Sequence, residues 1–330
     1  MNGDELRQFW SIPEPLSFLP ITQGVNNLTQ VIETPAGSYI LRSYRADRAL
    51  EQIRYELGVL KRFQGRILPF QVPIPIPTMT GELFAVLSET VVSLSPRLPG
   101  SPPPNDNLEQ AYAAGEALAQ LVKALAELQV EITSQIAPFP PSGDFAVWSG
   151  IPIIPANLLQ DLPLAKEERE QLLRIVEETQ ALSPSLYQTL PRQIIHRDYD
   201  QSNILMEGNS VTGVLDFEFC GPDLRVLDLA YALSQWPSGL WNTGKEWAII
   251  DAFGKGYLRQ QDLSIVELEA LPLVFRLRAT TSLFFHLGRF AQGVETAEEI
   301  LERIQETLTT EAWLQIHAQE LVRHAHRWRP

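Results

Sequence analysis

A short segment in the second half of the chain contains the residue types that phosphoryl transfer requires. It reads His196-Arg197-Asp198, with Asn203 five positions after the aspartate and Asp216 thirteen positions further on. Phosphoryl transfer needs one carboxylate to orient the attacking hydroxyl and oxygen ligands for the Mg²⁺ that bridges the phosphates. We therefore predict that Asp198 is the catalytic residue and that Asn203 and Asp216 are magnesium ligands.

An ordinary hairpin turn is the alternative explanation of these polar residues. Apolar stretches precede both Asp198 and Asp216, and Glu207-Gly208-Asn209 between them is a turn signal. Because aspartate and asparagine are common in turns, a single His-x-Asp would say little about function. The full spacing, with both acids next to apolar strand residues, favours the catalytic interpretation.

The same segment resembles the aminoglycoside phosphotransferase and choline kinase superfamily, a branch of the protein-kinase-like fold. Members typically read H-G-D-x-x-x-x-N, then D-F-E, then D-L-A. This chain has HRDYDQSN, then DFE from Asp216 and DLA from Asp228, with Arg197 in place of the glycine. The short interval between Asp216 and Asp228, and Asp200 where protein kinases usually carry lysine, argue against a protein substrate.

Within this superfamily, two stretches are similar to the kinase-fold homoserine kinases, Ser210 to Trp236 and Leu263 to Phe285. The resemblance implies transfer of the γ-phosphoryl group of ATP, with Mg²⁺, to a hydroxyl of a small molecule, as in homoserine kinase. Other acceptors stay open, namely choline, aminoglycosides, and sugar or amine compounds. A pseudokinase that binds but does not catalyse is a further alternative.

A nucleotide site is implied by the same resemblance. Gly24 and Asn27 match the family's G-x-x-N loop, where glycine lets the backbone approach phosphates closely. Adenine is expected to bond to the hinge backbone at Arg97 and to rest on Leu205 and Leu215. The two leucines are equally suited to an ordinary core.

Arg42 is the predicted cation for the nucleotide phosphates. It follows the apolar strand residues 39–41 at the position where kinases place lysine, and no lysine precedes Lys61. Arginine can fork onto phosphate oxygens and can also pair with a carboxylate. Its predicted partner is Glu56 on the next helix, and Glu51 is the alternative.

The elements that must position these residues change in character along the chain. Up to about Leu98 the pattern is rich in strands with one helix, and beyond the breakers Pro99 and Gly100 it becomes helical. We expect an α+β, protein-kinase-like, two-lobed fold: a small antiparallel β-sheet lobe plus a larger, mainly helical lobe. The nucleotide-binding lobe should comprise residues 1–98, and residues 99–330 should carry the catalytic loop and the substrate pocket.

Periodicity and turn signals predict individual elements as well. The turn Pro35-Ala36-Gly37 should join two strands of a hairpin, and a helix is expected from about Ala46 to Phe63. Further helices are expected near residues 111–128, 166–181, 225–236, 245–260, 265–292 and 296–327.

Composition limits the classes of partner. The net charge of −14, from 40 acidic and 26 basic residues, disfavours nucleic acid and anionic membrane surfaces. It would suit a cationic or zwitterionic acceptor, although soluble enzymes commonly carry such a charge. Cys220 is the single cysteine, which excludes an intrachain disulfide and a cysteine-based zinc site. The polar N-terminus lacks secretory-signal features, so we expect a cytoplasmic protein.

The choice of candidate acceptor-binding residues depends on which acceptor is assumed. A homoserine carboxylate would need a cation, for which the candidates are Arg276, Arg278 and Arg289. An aminoglycoside would need a wall of carboxylates, for which the candidates are Glu295, Glu298, Glu299 and Glu302. The sequence does not choose between these sets, and the acidic set would also suit a solvated helix face.

Overall fold

The chain is described here from a computed structural model, which covers residues 3–20, 28–46, 48–132, 140–153 and 155–329. These residues divide into two compact units. The first contains the described residues up to Pro102 together with Asn203–Glu218, and the second contains most of the remainder. The predicted catalytic segment is therefore shared, because Asp198 belongs to the second unit and Asp216 to the first. The predicted lobe boundary at residue 98 stays a prediction.

The first unit is built on an antiparallel sheet. Its strands are β1 (Ser17–Pro20), β2 (Leu28–Thr34), β3 (Gly37–Ser43), β4 (Ala85–Leu87) and β5 (Thr90–Pro96), in the order β1-β2-β3-β5-β4. The predicted hairpin is confirmed, since Thr34 pairs with Gly37 across the turn and Ile32 pairs with Tyr39. Alternate residues of β5, such as Val92 and Leu94, point to one face and are buried there.

That face is covered by the N-terminal segment of the chain. Helix α1 (Gly3–Arg7) contributes the buried Leu6, and Trp10 packs beside it in the same apolar cluster. The indole Nε1 of Trp10 donates a hydrogen bond of 2.9 Å to the carbonyl of Ile76, which satisfies its only polar atom. The N-terminal segment thus covers one face of the sheet.

Helix α2 (Leu50–Lys61) follows the sheet and carries Glu56. Its apolar residues at helical spacing are buried, including Ile53, Leu57 and Leu60. The predicted start near Ala46 is wrong, because Ala49 has an extended backbone (φ −65°, ψ 139°) and acts as the N-cap. Arg48 therefore lies outside the helix.

A second hairpin belongs to the first unit, although it is distant in sequence. It consists of β7 (Ile204–Glu207) and β8 (Ser210–Val214). The amide of Gln71 donates to the carbonyl of Thr212, and Ser101 and Met206 exchange two backbone hydrogen bonds. These contacts attach the hairpin to the remainder of the unit.

The second unit is mainly helical. Its helices are α3 (Leu108–Ile132), α4 (Phe145–Trp148), α5 (Pro155–Leu158), α6 (Lys166–Thr189), α7 (Val226–Gln235), α8 (Glu246–Gln260), α9 (Ile265–Glu269), α10 (Leu271–Ala291) and α11 (Ala297–His326). A strand pair, β6 (Arg192–Ile195) with β9 (Gly221–Leu224), lies among them. Helix α10 packs against α7, α6 and α11 and supplies buried residues such as Leu277 and Leu287.

The predicted single helix over residues 265–292 is wrong in one respect. Ala270 ends α9 and begins α10, so the chain forms two helices. Pro272 stands in the first turn of α10, where its missing N–H is tolerated, whereas inside a continuous helix it would break a hydrogen bond. In the described part of the chain, no helix is both long enough and apolar enough to cross a membrane.

Candidate active site

The hairpin of β7 and β8 holds the predicted metal ligands. Asn203 directly precedes β7, and Leu215 follows β8 and donates a backbone hydrogen bond of 2.8 Å to the Asn203 carbonyl. Asn203 and Asp216 consequently lie together at the open end of the hairpin. Asp216 has a left-handed backbone (φ 55°), which is uncommon for a residue other than glycine and turns the chain away from the strand.

Arg42 connects these ligands to helix α2. Its Nη2 lies 2.9 Å from Asp216 Oδ1 and 3.2 Å from Glu218 Oε2, while its Nη1 lies 3.2 Å from Glu56 Oε1. The predicted pairing with Glu56 is present, and the alternative Glu51 is exposed on the same helix. Arg42 itself is only 18% exposed, so its guanidinium is fixed by three carboxylates in a mostly buried setting.

A second arginine completes this ion cluster, and the sequence analysis did not identify it. Arg48 lies 2.8 Å from Glu56 and 3.0 Å from the carboxylate of Glu218, and it also donates to the Glu218 carbonyl. Both guanidiniums lie over the ring of Tyr44, at 5.5 Å for Arg42 and 5.4 Å for Arg48. A basic residue just before α2 was the only signal available in the sequence.

Carboxylates outnumber guanidiniums in this cluster. Burial lowers the pKa of Arg42, but Asp216 and Glu56 outweigh burial and raise that pKa well above its ordinary value. Burial and the neighbouring Asp216 raise the pKa of Glu218, while both guanidiniums oppose the rise. With three carboxylates around two guanidiniums, an additional cation is favoured near Asp216.

Asn203 and Asp216 fit a magnesium ion. Both offer oxygen atoms, and Mg²⁺ in kinases is commonly held by one or two protein oxygens plus phosphates. Asp216 is 29% exposed, more than the other two carboxylates of the cluster. The described residues contain no group of three or more His, Cys, Asp or Glu side chains arranged as a metal site.

The predicted adenine floor lies on the same hairpin. Leu205 and Leu215 are half-buried, whereas Ile204 and Val214 beside them are fully buried. A side chain at Gly213 would come within 3.1 Å of Leu98 and 3.2 Å of Leu205, so glycine permits this apolar packing. The arrangement suits the predicted role of the two leucines, which stays a prediction.

The remaining predicted nucleotide residues are less informative. Gly24 and Asn27 lie outside the described residues. Arg97 is exposed, and its backbone N–H donates a hydrogen bond of 2.9 Å to the carbonyl of Ser38 on β3. The predicted roles of all three residues remain predictions.

In the second unit, Asp228 organises the start of the catalytic loop. This fully buried carboxylate accepts backbone N–H bonds from His196 (2.8 Å) and Arg197 (2.6 Å). Burial raises the pKa of Asp228 to about 6, although the two backbone hydrogen bonds oppose the rise. His196 is also buried, and its Nδ1 accepts the backbone N–H of Asp198 at 3.2 Å. Both residues therefore brace the loop.

Arg197 stands where the family motif has glycine, and its surroundings show how the larger side chain is accommodated. Its backbone is left-handed (φ 67°), a conformation that favours glycine. Contacts of the side chain offset the cost of this conformation. Its Nε lies 3.1 Å from the buried Asp223 carboxylate, and its Nη2 donates a hydrogen bond of 2.7 Å to the Pro222 carbonyl. It also packs over the ring of Trp148 at 5.6 Å. The arginine is thus a structural anchor of the loop.

Asp198 is held by a tyrosine that the sequence analysis did not single out. Tyr231 Oη donates to Asp198 Oδ1 at 2.6 Å and lies 3.2 Å from Asp200 Oδ2. Burial raises the pKa of Tyr231, and Asp198 raises it further, so the hydroxyl keeps its proton. Tyr231 directly follows the Asp228-Leu229-Ala230 motif, and this adjacency was the available signal. The arrangement gives a half-buried carboxylate of fixed orientation, as a hydroxyl-orienting base requires.

The chain is similar to known phosphotransferases. The profile of the phosphotransferase enzyme family (APH) matches residues 17–270. The chain is 28% identical over 297 residues to homoserine kinase of Nitrobacter winogradskyi, covering 87% of this chain and 85% of the relative. It is 28% identical over 332 residues to homoserine kinase of Caulobacter vibrioides, covering 98% and 97%.

Solved structures share the fold at lower identity. An amicoumacin kinase superposes with a TM-score of 0.66 at 14% identity, covering 94% of each chain. A microcompartment-associated aminopropanol kinase gives 0.61 at 17%, covering 96% of this chain and 97% of the other. A choline/ethanolamine kinase family protein from Mesorhizobium loti gives 0.59 at 16%, covering 97% and 94%. The predicted α+β kinase-like fold and the predicted activity class, a small-molecule phosphotransferase, are confirmed: this chain belongs to the phosphotransferase enzyme family.

Proposed function

We propose that the chain transfers the γ-phosphoryl group of ATP, in the presence of Mg²⁺, to the hydroxyl of homoserine or a close analogue. The observation that carries this proposal is the hydrogen bond of 2.6 Å between Tyr231 and Asp198. It fixes a carboxylate at the position that the family motif reserves for the hydroxyl-orienting base. A pseudokinase would not need such a constraint on this residue.

Each predicted residue has a defined task in this proposal. Asp198 accepts a hydrogen bond from the acceptor hydroxyl and takes its proton as the phosphoryl group is transferred. Asn203 and Asp216 hold the metal ion, which when bound neutralises phosphate charge. Arg42, kept in place by Glu56, donates to the nucleotide phosphates.

The nucleoside would be held by the remaining predicted residues of the first unit. Leu205 and Leu215 would support the adenine, and the backbone at Arg97 would hydrogen-bond its edge. Gly24 and Asn27 would supply the backbone that approaches the phosphates.

Homoserine is favoured as acceptor by the curated relatives, which match this chain over nearly its full length and are named homoserine kinases. An amino alcohol is the second candidate, because one structural neighbour is named an aminopropanol kinase. An aminoglycoside is less favoured. Glu295 is engaged by His286 and Arg289, and Glu299 caps α11 through Thr296, so these two acids already have structural partners.

ADP release from purified protein tests the proposal. L-Homoserine, 3-amino-1-propanol, choline and kanamycin would each be added to ATP, with Mg²⁺ and with excess EDTA. We expect Mg²⁺-dependent ADP release with L-homoserine, confirmed by phosphorus NMR of the product, and release at least ~10²-fold slower from Asp198→Asn. Turnover restricted to choline or kanamycin would refute the acceptor assignment. An absence of turnover with all four compounds would refute the proposed function.

A further inference from the structure

Arg278 on α10 stands apart from the other arginines of its helix. Its Cζ lies 4.2 Å from the centre of the Tyr231 ring, and Tyr231 is the residue that holds Asp198. Among the described residues, no carboxylate lies within ion-pair distance of Arg278. The half-buried guanidinium therefore has an aromatic face as its neighbour rather than a counter-ion.

The two rival arginines are already neutralised. Arg276 forms a two-pronged contact with the buried Glu311, with both N–O distances 2.7 Å, and also approaches Glu178. Arg289 pairs with Glu295. The N–H groups of these guanidiniums already bind carboxylates, so they are less available to bind a second one.

Stacking on Tyr231 leaves Arg278 able to bind an anion. A cation over a ring presents its flat face to the π system, while the N–H donors of a guanidinium point outward in its own plane. These in-plane donors are the ones that grip a carboxylate bidentately. Packing against the ring restricts the guanidinium before an anion binds, so less side-chain entropy is lost on binding.

The surrounding charge makes a cation necessary for an anionic acceptor. Asp198 and Asp200 both lie within hydrogen-bond distance of Tyr231 Oη, so the base stands in a negative field. A carboxylate brought near these groups would be repelled unless a positive charge compensated. Arg278 supplies that charge over the face of the ring whose hydroxyl binds Asp198, so one tyrosine contacts both the cation and the base.

A small recess adjoins this pair of residues. Its cavity volume is about 20 Å³, and its lining is uncharged: Ser234, Trp241, Phe275, Thr309, Thr310 and Trp313. Ser234 and Phe275 lie one helical turn from Tyr231 and Arg278, respectively. This volume has room for roughly one water molecule. The recess therefore does not hold the acceptor itself, and its lining provides no rival cation.

We propose that Arg278, stacked on Tyr231, binds the carboxylate of the acceptor and makes this chain selective for a small hydroxy acid over the corresponding alcohol without a carboxylate. This inference rests on the proposed function, since it concerns the acceptor whose hydroxyl Asp198 would orient. It goes further by naming the chemical group that is recognised and the residue that recognises it.

Calorimetric titration with a matched pair of compounds tests the inference independently of turnover. L-Homoserine and 3-amino-1-propanol differ only in the carboxylate, and each would be titrated into protein saturated with Mg²⁺ and a non-hydrolysable ATP analogue. Wild-type protein should bind L-homoserine about 10- to 100-fold more tightly, the range expected for charge-assisted hydrogen bonds. Arg278→Gln should abolish this preference while leaving 3-amino-1-propanol binding unchanged. Arg278→Lys should retain part of it.

A control removes the rival cation without leaving a buried carboxylate unpaired. The double variant Arg276→Gln with Glu311→Gln should keep the wild-type preference. The inference is overturned if wild-type protein shows no preference for L-homoserine, including the case in which neither compound binds. It is equally overturned if the preference survives in Arg278→Gln or disappears in the control. Carboxylate preference without phosphorylation would instead refute the proposed function and leave the assignment of Arg278 intact.

Discussion

The guanidinium of Arg42 lies 2.9 Å from the carboxylate of Asp216, although 174 positions separate the two residues in the chain. The contact joins the predicted phosphate-binding cation to a predicted metal ligand within the first unit. Any Mg²⁺ that binds Asp216 must share this carboxylate with Arg42. Phosphate oxygens would offer Arg42 an alternative partner, so we expect metal and nucleotide to bind cooperatively.

Arg42 and Glu56 should be coupled in ATP use. Arg42→Ala should reduce kcat/KM for ATP by about 10²-fold, since it removes charge-assisted hydrogen bonds from a mostly buried cluster. Arg42→Lys should recover only part of the loss, because an ammonium cannot reproduce the two-pronged contact. Glu56→Gln should have a milder effect, and the double variant should be less than additive. Strict additivity in this cycle would show that Glu56 does not act through Arg42.

Asp216→Ala should abolish Mg²⁺-dependent nucleotide binding, and Asn203→Ala should weaken it. Both residues offer hard oxygen ligands to a cation that itself binds phosphate. Calorimetry with ATP, with and without Mg²⁺, measures the effect. Metal dependence that is unchanged in Asp216→Ala would rule out the assigned metal site.

Asp198→Asn should leave a folded protein that binds ATP but turns over at least ~10²-fold more slowly, the scale of a lost acid–base group. The exposed Asp161 provides a matched control, because Asp161→Asn makes the same chemical change far from any predicted site residue in sequence. ADP release and thermal melting would be compared for both variants. Near-normal turnover in Asp198→Asn would show that another group orients the acceptor hydroxyl.

Arg48→Met should destabilise the protein by about 3 kcal/mol, since it removes one partner from Glu56 and Glu218 and leaves buried charge poorly compensated. Urea denaturation measures the change. The exposed Arg174→Met is the control and should change stability little. An equal effect of both substitutions would mean that the side chain of Arg48 contributes nothing specific.

Asp228 should make the free energy of unfolding fall as pH rises, the direction opposite to that usual for a carboxylate. Its folded-state pKa of about 6 exceeds the ordinary value near 4, so between these pH values the folded protein keeps a proton that the unfolded chain has lost. This contribution to stability therefore falls as pH rises from about 4 to about 6 and is constant above that range.

The variant Asp228→Asn isolates this effect. The free energy of unfolding of wild-type protein minus that of the variant should decline between about pH 4 and pH 6, since only the wild type loses a proton there. Chemical denaturation at several pH values measures this difference. A difference that rises or stays flat over the interval would contradict the raised pKa.

Much of the fold follows from local patterns. The two-residue turn at Pro35-Ala36 and the periodic helix near residues 245–260 are encoded by neighbouring residues, and they form as expected. The helix expected over residues 166–181 begins as expected but continues to Thr189. The misplaced start of α2 and the break at Ala270 depend on the backbone conformation of single residues. Periodicity does not report such conformations, because several are compatible with the same pattern.

The sequence by itself determined the chemistry that this chain can perform, because the spacing of Asp198, Asn203 and Asp216 is a property of one continuous segment. Only the tertiary structure decided which residues from elsewhere in the chain lie around that segment. Arg48 reaches Glu218 across 170 positions, and Tyr231 reaches Asp198 across 33. Three arginines on one helix are equivalent in the sequence, and Arg278 differs from the others only because folding gave them carboxylate partners and gave it a tyrosine ring. Such pairings depend on long-range packing, which no local pattern encodes.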